Sequence, residues 1–277
     1  MNETLTAAQR VALARHPQRP TAGEYIRAMI DSFLPLGGDR LHGEDGAVLG
    51  GIGFFHGRPV TVIGQQKGRT LEQNLECRFG MPQPWGYRKA VRLMEQAEKF
   101  GRPVITFIDT PGAYPGLEAE EEGQGEAIAR SIACMSRLTV PTVAVFIGEG
   151  GSGGALALGT ADRILMLENS IFSILSPEGF ASILWKDASL HEKAADVMKL
   201  TAADLKQLGI CNVLIPEGEG GAHENRDMVF HRVEMEVERA LAELEKINGS
   251  NLKKQRYRRL RNVGNFKEKL WNTNQKN

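Results

Sequence analysis

Two glycine-rich segments constrain this chain more than any other feature, because each directly follows a short and nearly continuous apolar run. Thr110-Pro111-Gly112-Ala113-Tyr114-Pro115-Gly116 follows PVITFID (Pro103 to Asp109), and Gly148-Glu149-Gly150-Gly151-Ser152-Gly153-Gly154 follows PTVAVFI (Pro141 to Ile147). Runs of that length and composition read as strands buried on both faces. Helical patterns come after both, Glu120 to Leu138 and the small-residue stretch Ala155 to Ala161. Glycine at such a junction lets the chain turn sharply and lets a ligand approach the backbone with no Cβ in the way. The first amides of a helix have no intrahelical partner and lie at the positive end of its dipole. Each segment is therefore read as a turn able to hold an anion, or an oxygen on which negative charge develops. Removing one such donor typically costs about 2.7–4 kcal/mol of barrier. A pair of backbone amides can thus carry much of a catalytic effect without any ionisable side chain.

The rest of the chain alternates in the same manner. Tyr25 to Leu34 predicts a helix, stopped by Pro35 and Gly37-Gly38. Ala47 to Phe55 and Pro59 to Gln65 predict a hairpin across His56-Gly57-Arg58. Gly64 to Gly86 is polar and predicts a surface loop. Tyr87 to Phe100 predicts an amphipathic helix with Gly101 as its stop. Beyond the second glycine segment, Arg163 to Leu167, Ile171 to Leu175 and Cys211 to Ile215 predict strands. Pro177 to Trp185, Thr201 to Leu208 and Glu224 to Ile247 predict helices. Strand and helix interleave with no linker, which predicts one α/β domain over residues 46–250, a helical segment over 1–45 and a basic tail over 251–277.

Composition narrows the class. The 34 basic and 34 acidic side chains balance among 277 residues, so no global field draws the chain to nucleic acid or to a membrane. Cys77, Cys134 and Cys211 are scattered, and His16, His42, His56, His191, His223 and His231 show no ligand spacing, so no metal is expected on this chain. No signal peptide and no membrane span is legible, which predicts a cytoplasmic protein.

The letters of the second glycine segment admit other chemistries. Gly148, Gly150 and Gly153 fit G-x-G-x-x-G, with Glu168 twenty positions on, as in a dinucleotide site. Gly150, Ser152 and Gly154 fit G-x-S-x-G, a nucleophile elbow that Asp187 or Asp196 and His223 or His231 would complete. The glycines also suit tight strand–helix packing with no ligand at all.

Eight ordered strings carry a resemblance. ARHPQRP (Ala14 to Pro20), GQQKGR (Gly64 to Arg69), FGMPxPxGYRKAxRLM (Phe79 to Met94), ITFIDTPGAYPG (Ile105 to Gly116), EGQGEAIAR (Glu122 to Arg130), IGEGGSGGALALG (Ile147 to Gly159), SPEGFASILWK (Ser176 to Lys186) and IPEGEGGAH (Ile215 to His223) resemble the α subunit of bacterial acetyl-CoA carboxylase carboxyltransferase. The resemblance implies a crotonase-like α/β fold of repeated β-β-α units. It also implies a β subunit of related fold, a biotin carboxyl carrier protein, biotin carboxylase in the larger complex, and an α2β2 assembly. The implied reaction moves a carboxyl group from carboxybiotin to acetyl-CoA, making malonyl-CoA through a biotin ureido anion and an enolate. Carried over residue by residue, the oxyanion amides are those of Gly150 and Gly151. Gly112, Ala113, Tyr114, Ser152 and Gly153 line the carboxybiotin cleft. The biotin anion itself serves as base, which suits the lack of paired carboxylates in either segment. The nearest enzymatic alternative is a stand-alone crotonase-like hydratase or hydrolase, whose chemistry needs a side-chain acid, base or nucleophile in the cleft.

Further side chains are assigned from the residues alone. Glu149 is expected to fix the turn through hydrogen bonds, since a free carboxylate there would repel an oxyanion. Ser152 is expected to cap the following helix. Lys67 and Arg69 are expected in solvent on a loop, and Cys134 in the core. The cluster from Lys253 to Arg261 reads by itself as a solvated tail, and the resemblance, through the string RRL (Arg258 to Leu260), implies a contact with the partner subunit instead.

Overall fold

The computed structural model describes residues 5–264 of the chain. Eight strands form one mixed sheet: β1 (Asp31–Pro35), β2 (Val48–Phe55), β3 (Arg58–Gln65), β4 (Val104–Thr110), β5 (Thr142–Gly151), β6 (Arg163–Leu167), β7 (Ile171–Ser173) and β8 (Val213–Ile215). The order is β1-β2-β3-β4-β5-β6-β8, with β7 paired to the far end of β5. β2 pairs antiparallel with β1 on one side and with β3 on the other, and every pairing from β3 onward is parallel.

Alternation along the central strands divides the core. Val143, Val145 and Ile147 of β5 point to one face and Ala144 and Phe146 to the other, and Ile105 and Phe107 oppose Val104 and Ile108 on β4 in the same way. Helices cover both faces, so the central strands carry no exposed residue. On the first face lie α2 (Ala22–Met29) and the long penultimate helix, while α1 (Ala7–Ala14) packs in a separate small cluster with Ile171, Ala195 and Leu200. The other face is covered by α4 (Pro84–Phe100), which follows the short α3 (Leu71–Glu76), and by α6 (Gln124–Arg137), which follows α5 (Leu117–Glu121). Four short helices, α7 (Ser152–Gly159), α8 (Pro177–Trp185), α9 (His191–Met198) and α10 (Ala202–Gln207), link the last strands. α11 (Arg226–Leu244) and α12 (Gly249–Asn262) end the described chain.

Several expectations change here. The hairpin turn is the two residues His56 and Gly57, both left-handed at φ 49° and 74°, as the twist of a tight hairpin requires. The helix predicted over Tyr25 to Leu34 stops at Met29, and Asp31–Pro35 pairs instead with β2. Gly51 and Gly53 admit that edge strand: a Cβ on Gly51 would lie 2.2 Å from the Leu34 carbonyl oxygen. The predicted loop over Gly64 to Gly86 contains α3. The helix predicted from Glu120 is broken at Gly123, which is left-handed at φ 80°. α9 has no counterpart in the sequence reading, and the basic stretch from Lys253, read only as a tail, is helical through Asn262. The remainder of that tail, beyond residue 264, lies outside the described residues.

α12 is fastened at Arg256. Its guanidinium is buried and makes two bonds to the Asp162 carboxylate, at 2.9 and 2.6 Å. It also donates to the carbonyls of Met135 and Leu138, both at 2.8 Å. Asp162 in turn accepts the Thr142 amide, so this ion pair sits where β5 begins. The three cysteines are buried and free, and burial pushes the Cys134 thiol up to about 11. Among the described residues no helix is long and apolar enough to cross a membrane, and no group of three or more His, Cys, Asp or Glu side chains could hold a metal ion.

Candidate active site

β4 and β5 end side by side, and there the two glycine segments meet. The second is not a turn throughout. β5 runs on through Gly148, Glu149, Gly150 and Gly151, and α7 begins at Ser152. Gly150 pairs with Thr110 on one side and with Phe172 of β7 on the other. The Pro111-Gly112-Ala113 backbone lies flat against this stretch. A Cβ on Gly151 would stand 2.1 Å from the Pro111 carbonyl oxygen, and one on Gly154 2.8 Å from the Ala113 amide nitrogen. Glycine is required at both positions because two backbones touch there. The first segment is a true turn. Thr110 Oγ1 accepts the Gly112 N–H at 3.1 Å and donates to the Gly112 carbonyl at 2.8 Å. Gly112 has φ 150° and open space where a Cβ would stand.

Other strings converge on the same place. Gln124 donates to the carbonyls of Pro82 and Tyr114, at 3.0 and 2.9 Å, stitching the Phe79–Pro84 stretch to the first turn. Gln65 donates to the Gly154 carbonyl at 2.7 Å. Tyr114 is half-buried, folded back over Gly116, with the Arg78 guanidinium 5.8 Å from its ring centre.

The ladder between β4 and β5 slips just before the glycines. Ile108 pairs with Phe146 and Thr110 with Gly150, so Asp109 alone faces Ile147, Gly148 and Glu149. The extra length bends the strand, as β-bulges do, and charged groups surround it. Asp109 accepts the Glu149 N–H at 3.0 Å and the Lys67 ammonium at 2.8 Å. The Glu149 carboxylate accepts from Lys67 at 3.0 Å and from Arg15 Nε at 2.7 Å. Burial alone would raise the Glu149 pKa, but Lys67 and Arg15 outweigh it and hold the carboxyl below its ordinary value. Lys67 is held high by the reverse balance, since Asp109 and Glu149 overcome its desolvation. Arg19 donates to the Ile147 carbonyl and forms a buried fork with Glu217, 2.9 Å on one arm. Asn169 and Ala222 amides complete the Glu217 shell at 2.8 and 2.9 Å.

Lys67 and Arg69 are therefore not solvated loop residues. Arg69 pairs with Glu24 and donates to the Pro17 carbonyl at 2.7 Å. Glu149 does serve a hydrogen-bonding role, although what it fixes is a strand bulge. Ser152 is exposed and left-handed at φ 47°, and α7 carries no side-chain cap, so the capping role fails. The strand pairing of Gly150 and Gly151 leaves no free turn to be capped. Nor does Ser152 hydrogen-bond to any imidazole or carboxylate among the described residues. Asp187 holds the Ser189 amide at 2.9 Å, and His223 is stacked on His16 with ring centres 3.7 Å apart. Glu168 faces Arg10 and the Glu217 amide. The elbow and dinucleotide readings thus lose the partners they need. Sequence reasoning missed Arg15, Arg19, Asp109 and Glu217. The signal was available in the placement of a charge inside or beside each quoted string, but nothing local says that these charges meet.

The mixed sheet with helices on both faces is a crotonase-like α/β fold. Solved structures share it. A transcarboxylase 12S, crystallised with methylmalonyl-coenzyme A and methylmalonic acid, superposes with a TM-score of 0.62 at 18% identity, over 79% of this chain and 42% of that one. The β subunit of Pseudomonas aeruginosa geranyl-CoA carboxylase gives 0.62 at 17%, over 87% and 46%. A Pseudomonas malonate decarboxylase hetero-tetramer in complex with coenzyme A gives 0.62 at 17%, over 72% and 80%. Relatives in sequence are far nearer. The acetyl-coenzyme A carboxylase carboxyl transferase subunit alpha of Anoxybacillus flavithermus is 56% identical over 94% of this chain and 80% of its own length. The Clostridium acetobutylicum subunit is 52% identical over 96% and 97%. The family described as "Acetyl co-enzyme A carboxylase carboxyltransferase-like" matches residues 1–264. The chain belongs to this family of acetyl-CoA carboxylase carboxyltransferase α subunits.

Proposed function

We propose that this chain is the α half of a carboxyltransferase that passes a carboxyl group from carboxybiotin, borne on a separate carrier protein, to acetyl-CoA, yielding malonyl-CoA for fatty acid synthesis. Family membership supports the reaction. The observation that carries the site is the backbone contact of Gly151 with Pro111 and Gly112. It makes a wall without side chains beside an open position at Gly112, which suits a flat, carbonyl-bearing ring. Carboxybiotin, when bound, supplies an activated carboxyl group. The Gly150 and Gly151 amides hold the oxygen on which charge develops, a role that backbone donors fill well in a site closed to water. Gly112 and Ala113 form the facing wall, and Tyr114, Ser152 and Gly153 the rim. Glu149 does not oppose that charge, because Lys67 and Arg15 neutralise it. The coenzyme A side belongs mainly to a β subunit of related fold, in an α2β2 assembly served by the biotin carboxyl carrier protein and biotin carboxylase.

The test is reconstitution. The isolated chain should form no malonyl-CoA from acetyl-CoA and carboxybiotin, and addition of the β subunit should restore transfer. Gly151→Val in the assembled complex should abolish it. Full activity from the isolated chain, or from the Gly151→Val complex, would refute the assignment.

A further inference from the structure

The bulge of β5 is the least expected construction in the molecule. Between two regular pairings, three residues of β5 stand opposite the single Asp109 of β4. Immediately after it come Gly150 and Gly151. A bulge re-aims the strand that follows, so whatever fixes Ile147, Gly148 and Glu149 also fixes the direction of the next two amides.

Each bulge residue is held separately. The Ile147 carbonyl accepts Arg19 Nε, whose guanidinium is anchored by Glu217. The Gly148 Cα lies on the Asp109 carboxylate so closely that a Cβ would stand 2.4 Å from Oδ1. The Glu149 amide donates to the same Oδ1 at 3.0 Å, and the Glu149 side chain is gripped by Lys67 and Arg15. Lys67 bridges the two strand ends, reaching Asp109 at 2.8 Å and Glu149 at 3.0 Å, and the Gly80 backbone closes over its stem. Asp109 and Arg19 are buried, and the Lys67 side chain is mostly so. No ion pair of this cluster needs to be there for packing alone, since a regular ladder would satisfy the strand without charges.

We infer that Asp109, Lys67 and Arg19 are positioning residues for carboxyl transfer, holding the bulge that aims the Gly150 and Gly151 amides at the reacting oxygen. The inference rests on the carboxyltransferase reading above. A displacement of about 1 Å in a catalytic group costs about 10²-fold in rate, so slackening the bulge lowers kcat while substrate affinity, set on other surfaces, is left alone.

β5 supplies its own control. The Arg256–Asp162 pair, buried more deeply still, braces the opposite end of the same strand through the Thr142 amide. Asp109→Asn, Asp109→Ala, Lys67→Met and Asp162→Asn are compared in the assembled α–β complex by kcat, KM, melting temperature and amide hydrogen exchange of residues 147–155. Asp109→Ala and Lys67→Met should each lose about 10²-fold in kcat, with KM within twofold, and exchange in 147–155 should rise. Asp109→Asn keeps the acceptor for the Glu149 N–H and should lose less. Asp162→Asn should melt lower yet keep kcat and the exchange of that segment. If Asp109→Ala and Asp162→Asn lose kcat only in proportion to their lowered melting temperatures, the ion cluster is a plain stability device and the inference fails. Should Asp109→Ala not fold, Lys67→Met decides alone. If the wild-type complex transfers no carboxyl group, the functional reading has failed, and exchange in 147–155 still decides whether the cluster sets the bulge.

Discussion

At the scale of single residues, glycine has two meanings in this chain, and substitution separates them. Gly125, near the start of α6, has open space around the position of a Cβ. Gly125→Ala removes a flexible residue from a helix and should raise stability by roughly 0.5–1 kcal/mol with activity unchanged, as a denaturant titration would show. Gly151→Ala must displace the Pro111 carbonyl. Overpacking of that kind costs about 1–3 kcal/mol, and turnover of the complex should fall much further than stability. Equal responses at the two positions would mean that the Gly151 contact is incidental. The letters GEGGSGG announce that the backbone matters here, but not which glycine meets which neighbour. Gly151 and Pro111 come together only when β4 and β5 pair.

At the scale of elements, the strongest local signals held. PVITFID and PTVAVFI are central strands, and the helix predicted over Tyr87 to Phe100 is α4 with one added turn at Pro84. What was not legible depended on distant partners. Ile30 to Leu34 continues a helical pattern, yet β2 captures Asp31–Pro35 as β1. The Lys253 to Arg261 stretch looks like solvated charge because a sequence does not display the Asp162 carboxylate to which Arg256 is bound. α12 gives a test at this scale. Arg256→Met leaves a buried carboxylate without its counter-ion, and removal of one partner from such a pair costs about 3–5 kcal/mol. The melting temperature should drop accordingly, and proteolysis should begin within α12. An unchanged melt would show that the helix is docked by its apolar contacts alone.

At the scale of the whole molecule, buried charge sets how stability follows pH. Burial, joined by His16 and Arg19, holds the His223 imidazole below its ordinary value, with Glu224 and Glu217 opposing them. The unfolded chain therefore binds a proton near pH 6.5 that the folded chain refuses. This contribution is complete above about pH 6.5 and is lost as pH falls through the folded value. Glu149 and Glu217, both held low against their own burial by cationic partners, add a second loss further down, beginning near about pH 4.3. Melting temperatures taken from pH 8 to pH 5 should decline in the wild type and stay flatter in His223→Gln. Parallel curves would remove His223 as the source.

The bulge also has a history within each molecule's own synthesis. Its charged anchors are spread over most of the sequence: Arg15 and Glu149 are 134 positions apart, and Arg19 and Glu217 are 198. A ribosome adding about 5–20 residues per second needs roughly 10–40 s to cover the longer span. Throughout that interval Arg19 is present and its carboxylate is not yet made. The amides that the bulge aims are thus among the last parts of the protein to be set, however early β4 and β5 are translated. A nascent chain stalled before Glu217 should carry most of its sheet and no working site.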